Sequence, residues 1–559
     1  MAKQAKKKTI KSVSRPEAVS PKKIAKTGMP ADIPAEPQPL WHAYAAYGVT
    51  ILFFILSLIG ILHHEMWRDE FQAWMVAGDA HSIPQLFKNL KYEGNPVLWH
   101  AFLYVITSVT ENPFWMQIFH ILISTSFIFL INRYAPFSLL QKVLLTFGYY
   151  TFFEFNLISR SYGLGFLLVV VFCVLYQQRQ KYLIWMGAVL FLLANCTIFG
   201  VILAVTFSGV VVLEYLLQSK KVKGEKIRIG PLAGFLGLAL LGVILGYMQI
   251  HPEPDNSFPT YYVNFYDSLR TQWTMSRLLH AYFAIPDFTN YNWWNTNFFV
   301  PQEDRFIIAI GPVLLLMWVL AFMRYRLILA LYVVGTFTIL AFHYYSGLMW
   351  SRYASHLFVV LVACFWLMRY YTGTAYSWQP LKMLALIGDK IRTPLWYIVL
   401  GTSLVGGVVS FILDLQRPFS TSQEAANYLK ENKLDQLEII GSTDYVVSPL
   451  VTHLGRKIYY PERKEKGSFI IYDPQRLNLW SFDAIQNMAL ELNETGQKKI
   501  ILIRSTPIQM TYEDTGESVP WTEGNLTDWL VMTLIHKVEP GIVSDEKYFI
   551  YSIDEVAGR

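Results

Sequence analysis

The chain has 559 residues, of which 53% are hydrophobic and 16% aromatic but only 16% charged. Soluble domains carry about 25% charged residues. Here apolar runs of roughly 18 to 22 residues recur between positions 44 and 413, each long enough for a bilayer core. This excludes an ordinary soluble enzyme, and the net charge of +6 does not mark a nucleic-acid binder, because much of it lies in the first 26 residues.

That opening stretch, with Lys3, Lys6, Lys7, Lys8, Lys11, Arg15, Lys22, Lys23 and Lys26 followed by Pro30, Pro34, Pro37 and Pro39, reads as a disordered basic tail over 1–40. No short apolar segment with a cleavage site follows it, so it is not a signal peptide. The positive-inside rule places it in the cytoplasm. The first span is then 44–64. The apolar stretch Val97–Thr110 is too short to cross and is expected to lie at the outer surface. Further spans follow at 114–132, 138–157, 161–177, 182–196, 198–217, 229–250, 306–323, 327–345, 355–372 and 393–413. This threading puts Arg133, Lys142, Arg179, Lys181, Arg324, Arg326, Lys382 and Arg392 on the inner side, as the rule requires. The fold expected is an all-α polytopic membrane domain over 41–413, with about eleven transmembrane helices and outer loops at 65–113 and 251–305.

The segment 414–559 differs in kind. Thr421 and Glu424 match a capping box ahead of AANYLKEN. β-rich runs follow at Leu437–Ile440, Lys457–Tyr460, Phe469–Tyr472, Lys499–Ile503 and Tyr548–Ile553, with a helix around 483–493. Together they predict a soluble α/β domain on the outer side. Cys173, Cys196 and Cys364 lack metal-ligand spacing and read as packing residues.

Three arginines stand where outer segments do not usually place them. Arg68 follows the first span, Arg160 lies in Ser159-Arg160-Ser161-Tyr162, and Arg352 lies in Trp350-Ser351-Arg352-Tyr353. Guanidinium groups bind phosphate with paired hydrogen bonds, so the trio points to an anion at that surface. Asp69 and Glu70 adjoin Arg68, where a carboxylate can take a proton from an attacking hydroxyl. Glu93 supplies another acid. The three acids leave a divalent metal open, although they follow no spacing rule. His343, Tyr344, Tyr345 and His356 flank Arg352, and Tyr261, Tyr262, Tyr266, Trp273, Tyr291, Trp293 and Trp294 crowd the second outer loop. Aromatic side chains stack on sugar faces and also anchor at membrane interfaces.

Three stretches resemble those of the GT-C superfamily of glycosyltransferases, whose members of this shape include protein O-mannosyltransferases and the lipid A aminoarabinose transferase. They are Trp67-Arg68-Asp69-Glu70-Phe71-Gln72-Ala73-Trp74, Tyr92-Glu93-Gly94-Asn95-Pro96-Val97-Leu98-Trp99 and Ser159-Arg160-Ser161-Tyr162. The resemblance covers roughly residues 44–372. It implies a GT-C-like membrane domain that moves a sugar, with inversion, from a polyprenyl-phosphate donor to a glycan, lipid or protein acceptor. The setting it implies is the outer face of a bacterial inner membrane, among membrane lipids. It also implies Asp69 as base with Glu70 as partner, Arg68, Arg160 and Arg352 on the donor phosphate, and Glu93, Asn95, Tyr162, His343 and Tyr353 at the substrate. The sequence departs from the family pattern at Asn95, where the pattern has histidine; an amide hydrogen-bonds but takes no proton at neutral pH. The alternative is a transporter or flippase, but such a protein would want ionisable groups at mid-membrane, and the expected spans are apolar through their centres.

Overall fold

The computed structural model describes residues 40–219, 229–256, 267–300, 307–347, 350–477, 499–511 and 518–555. The expectations for the basic tail, for Tyr261, Tyr262 and Tyr266, and for a helix around 483–493 lie outside them. The chain is helical up to residue 414: α1 (Leu40–Ile61), α2 (Arg68–Gly78), α3 (Ile83–Asn89), α4 (Leu98–Thr107), α5 (Phe114–Tyr134), α6 (Leu139–Thr146), a π-helical turn (Tyr149–Glu154), α7 (Ser161–Tyr176), α8 (Arg179–Ala194), α9 (Ile198–Ser219), α10 (Ile229–Ile250), α11 (Ser268–Tyr282), α12 (Ile307–Phe322), α13 (Arg326–Ser346), a 3-10 turn (Ser351–Ala354), α14 (Ser355–Met368) and α15 (Gln379–Asp414).

Seven helices among the described residues are long and apolar enough to cross a membrane, and shorter apolar helices accompany them. Their lipid-facing sides expose large aliphatic residues such as Ile51, Leu240 and Leu316, while Phe53, Phe127 and Leu361 are buried between helices. As expected, the stretch after Pro96 forms only the ten-residue α4. The expected span 138–157 is not one helix. It breaks at Gly148, between α6 and the π-helical turn, where α15 comes close. Ser403 Oγ accepts the Tyr149 N–H at 3.0 Å, and Thr151 Oγ donates back to the Leu145 carbonyl. These bonds compensate for the break in the ladder, and π-turns of this kind interrupt α-helices where side chains intrude. The last span, expected at 393–413, is the second half of the 36-residue α15, which continues through Pro394. The expected outer loop 251–305 contains α11, capped by the Asp267 carboxylate on the Arg270 N–H at 3.0 Å.

Among the described residues beyond 414 come α16 (Ser422–Glu431), α17 (Asp444–Val447), α18 (Pro449–Leu454) and nine strands: β1 (Glu438–Ser442), β2 (Ile458–Tyr460), β3 (Glu465–Gly467), β4 (Lys499–Arg504), β5 (Gln509–Thr511), β6 (Ser518–Pro520), β7 (Glu523–Asn525), β8 (Leu530–Val538) and β9 (Tyr548–Glu555). Seven of them form one sheet in the order β3-β2-β1-β4-β9-β8-β7, and β5 pairs with β6 separately. β1 runs parallel to both β2 and β4, and the remaining pairs are antiparallel. Phe469–Tyr472 is not a strand, because its Ile470 backbone bonds to a side chain of α2 instead. The capping box expected at Thr421 does not form: the hydroxyl donates to the Glu546 carbonyl at 2.8 Å, a partner 125 residues away.

Glycines let α15 approach its neighbours, Gly388 against the Leu320 carbonyl among them. A Cβ on Gly406 would meet the Ala284 carbonyl oxygen, and one on Gly407 the backbone at Phe147 and Gly148, both inside van der Waals contact. Gly406→Ala is therefore expected to destabilise the fold by about 1–3 kcal/mol. Thermal unfolding of the detergent-solubilised chain checks this; Gly401→Ala, with open space around its Cβ position, is the matched control.

Candidate active site

The chain leaves α1 and turns into α2 through Trp67. The acids of the α2 first turn match the helix dipole, but their surroundings separate them. Glu70 is fully buried. One of its oxygens accepts the Trp67 N–H at 3.1 Å, the returning half of a capping arrangement, and the other accepts the Ser159 N–H at 2.6 Å. His64 lies 3.5 Å from Glu70 and 3.0 Å from Asp414 at the end of α15. Glu70 thus pins the α1–α2 turn to the turn before α7.

Asp69 faces the other way, and its carboxylate is 27% exposed. Its Oδ2 lies 3.0 Å from Arg160 Nη1 and 3.1 Å from Arg352 Nη2, and Arg160 also donates to the Asp69 carbonyl at 2.8 Å. Burial pushes the Asp69 carboxyl up, but the nearby guanidinium groups of Arg160, Arg352 and Arg68 outweigh it and hold the group below the usual carboxylate range. Arg352 is packed among aromatic rings, 4.8 Å from the Trp67 centroid, 5.6 Å from Trp294 and 5.0 Å from Tyr353. Trp67 and Trp294 meet edge to face, and Glu154 holds the Trp294 indole N–H at 3.2 Å. Among the described residues the buried Arg352 Nε has no hydrogen-bond partner, so the group retains a donor.

The expected arginine trio converges only in part. Arg68 lies 3.9 Å from Asp69, but its closest partner is Asp545 at 2.7 Å, and its backbone N–H donates to Glu546 at 2.8 Å. It ties α2 to the C-terminal segment. Tyr162 and Tyr353 back the two convergent arginines, with Arg160 over the Tyr162 ring at 5.8 Å. His343 is buried one layer further in, against Phe199 and Tyr353. Asn95 bonds to the Glu93 carbonyl in a turn whose Gly94 has φ of +66°.

Glu93 lies beside α2, where Gln72 donates to its carboxylate. Burial pushes its carboxyl up to about 7, against the opposing pull of the Gln72 bond and Arg160. The same Gln72 pairs with the Ile470 backbone at 2.9 and 3.0 Å. Tyr472, two residues on, is in electrostatic reach of Glu93 and Asp69. The C-terminal segment therefore helps to close the site, which sequence reading did not foresee. Phe71 and Met75, from α2, sit in the same apolar cluster as Val447, Leu450 and Ile501. Burying each such side chain is worth about 1.5–3 kcal/mol. Among the described residues no group of three or more His, Cys, Asp or Glu could hold a metal ion.

No family model matches the chain, and no curated protein does. Among solved structures, the chain is similar to the apo crystal structure of ArnT from Cupriavidus metallidurans, at 12% identity and a TM-score of 0.41, over 82% of this chain and 93% of that one.

The depressed Asp69 pKa has a consequence for stability. Its contribution is present in full above the ordinary aspartate value of about 3.9 and is lost as pH falls through the lower folded value. The melting-temperature gap between wild type and Asp69→Asn is expected to stay constant from about pH 7 to 5 and to shrink below about pH 4. Thermal melts across that range check it.

Proposed function

We propose that this chain is a glycosyltransferase, moving a sugar from a polyprenyl-phosphate carrier to an acceptor hydroxyl at the outer face of the membrane. The observation that carries the reading is the Asp69 carboxylate held between Arg160 and Arg352 just past the first span. Asp69 and Arg160 lie within the short stretches on which the GT-C resemblance rests.

In this reading the donor phosphate lies against Arg160 and Arg352. The acceptor oxygen attacks the anomeric carbon from the face opposite the phosphate, and its proton passes to a carboxylate. The bond from the anomeric carbon to the phosphate oxygen breaks, its electron pair leaves with the lipid phosphate, and the anomeric configuration inverts. The guanidinium groups stabilise the charge that develops on the leaving phosphate. Glu70, enclosed by backbone donors, positions Asp69 and the Arg160 turn rather than meeting substrate. The N-terminus is cytoplasmic and the C-terminal α/β segment extracytoplasmic.

Asp69 is the base in the first form of the proposal. A second form makes Glu93 the base, because its carboxyl, pushed up to about 7, is better matched to proton abstraction near neutral pH than one held low by arginines.

Purified wild type, Asp69→Asn and Glu93→Gln would be assayed with a panel of radiolabelled polyprenyl-phosphate sugars and membrane extract as acceptor source. Loss of the base is expected to slow transfer roughly 10²- to 10⁴-fold. A full loss in Glu93→Gln with an active Asp69→Asn moves the base to Glu93. Arg352→Lys keeps the charge but loses the planar fork and is expected to weaken donor binding more than about tenfold. No transfer from any donor, with none bound, would overturn the reading in favour of a transporter.

A further inference from the structure

A cavity lies beside the arginine site and has no part in the chemistry above. It has a volume of about 490 Å³, within the range of roughly 300–1,000 Å³ typical of small-molecule sites. One wall is a face of α11, where Trp273, Ser276, Arg277 and His280 recur at helical spacing. The other is the loop from Asp287 to Val300.

The lining is rich in planar polar groups and aromatic rings. Arg277 is fixed by donating to the Trp273 carbonyl at 3.1 Å and to Ser276 Oγ at 3.0 Å. The Asp287 carboxylate is held by hydrogen bonds from Thr289 and Asn290. Trp273 and Phe298, 41% and 59% exposed, leave ring surface open. Asn295 has φ of +63°, and its buried side-chain oxygen has no hydrogen-bond partner among the described residues. A buried carbonyl oxygen of that kind costs free energy until a donor reaches it. A sugar supplies what this lining lacks: hydroxyl donors for the amide and a CH face for the rings.

The cavity is also joined to the arginine site. Asn295 follows Trp294, which covers Arg352, and Ser351 Oγ donates to the Asn295 carbonyl at 2.5 Å. The loop is held in shape by Asn297, which bonds to the Phe283 carbonyl and the Phe299 N–H, and by Thr296 on the Asp287 N–H. We propose that this cavity binds a saccharide, the sugar end of the acceptor, and so makes the acceptor a glycan or glycolipid rather than a protein. The proposal rests on the transferase reading for the word acceptor, but the binding site stands on its own lining.

The test uses the full chain in detergent, fluorescently labelled, on an array of immobilised mono- to tetrasaccharides, with immobilised peptides and phospholipid headgroups alongside. Wild type is expected to retain a subset of the saccharides. Trp273→Ala and Asn295→Gly, the second removing the amide while tolerating the positive φ, are expected to weaken binding of the best of them at least tenfold, with unchanged melting temperatures showing that both fold. Asp69→Asn is expected to bind as well as wild type while failing in transfer. Saccharide binding that persists in both cavity variants, retention of peptides or headgroups alone, or no retention at all overturns the proposal. Saccharide binding that follows these expectations while wild type binds and consumes no lipid-phosphate sugar sinks the transferase reading and leaves the site.

Discussion

Two arginines share one carboxylate oxygen. Arg160 and Arg352 both lie within 3.1 Å of Asp69 Oδ2, and both are largely shielded from water. Two guanidinium groups that close, in a medium of lowered dielectric, repel each other strongly unless an anion sits between them. Asp69 supplies that anion. The turn before α7, the 3-10 turn before α14 and the start of α2 are far apart in the chain, and this contact fixes their relative positions. The aromatic wall of Trp67, Trp294, Tyr162 and Tyr353 follows from the same constraint, since it encloses the cations while presenting π faces to them.

The short helix α2 is where the bundle and the sheet meet. Its inner face gives Glu70 to the bundle, and its opposite side gives Phe71 and Met75 to the apolar cluster under the sheet. Its polar side gives Gln72 to Ile470 and Asp79 to Lys457 and Ser468. Arg68 adds Asp545 and Glu546. Several of these bonds are exposed and individually weak. The apolar contacts carry more of the stability, and the polar ones set the register. A shift of the C-terminal segment would therefore be felt at Asp69 and Glu93 through one helix of eleven residues.

What the sequence shows clearly is what depends on near neighbours. The long apolar helices were legible because span length is a local property. The ten residues of α4 were equally plain as too few to cross. The break at Gly148 was not legible, because its cause is Ser403, 254 residues away. The helix α11 was missed because its sequence, SLRTQWTMSRLLHAY, mixes polar and apolar positions that make sense only once one face lines a cavity. Asp69, Arg160 and Arg352 stood out as charges in unusual places, and the structure brings them together. Arg68 stood out for the same reason, yet its partners lie in the last strand region, where no local pattern points to it. Charge and position alone do not separate Asp69 from Glu70; the resemblance gave them the roles of base and partner, and the backbone donors that enclose only Glu70 supply a physical difference.

The pairing also bears on how such a site would work. Asp69 held by two arginines is a poor proton acceptor, since the charges that order it also depress its pKa. In the transferase reading a phosphate entering the site competes for the same donors, and Arg352 already has an unpartnered Nε to offer. The singly charged phosphodiester of the donor, lying between the guanidinium groups, would neutralise part of their field. It would loosen their hold on the carboxylate and raise its basicity at the moment the donor is in place. The base would then be strong only when there is a sugar to transfer, and an empty site would keep its charges paired. Glu93, already near neutral in pKa and linked through Gln72 to α2 and Ile470, is placed to take the proton onward or in its stead. Both routes need the same thing of the fold, which is a rigid α2 held from the bundle by Glu70 and from the sheet by Arg68.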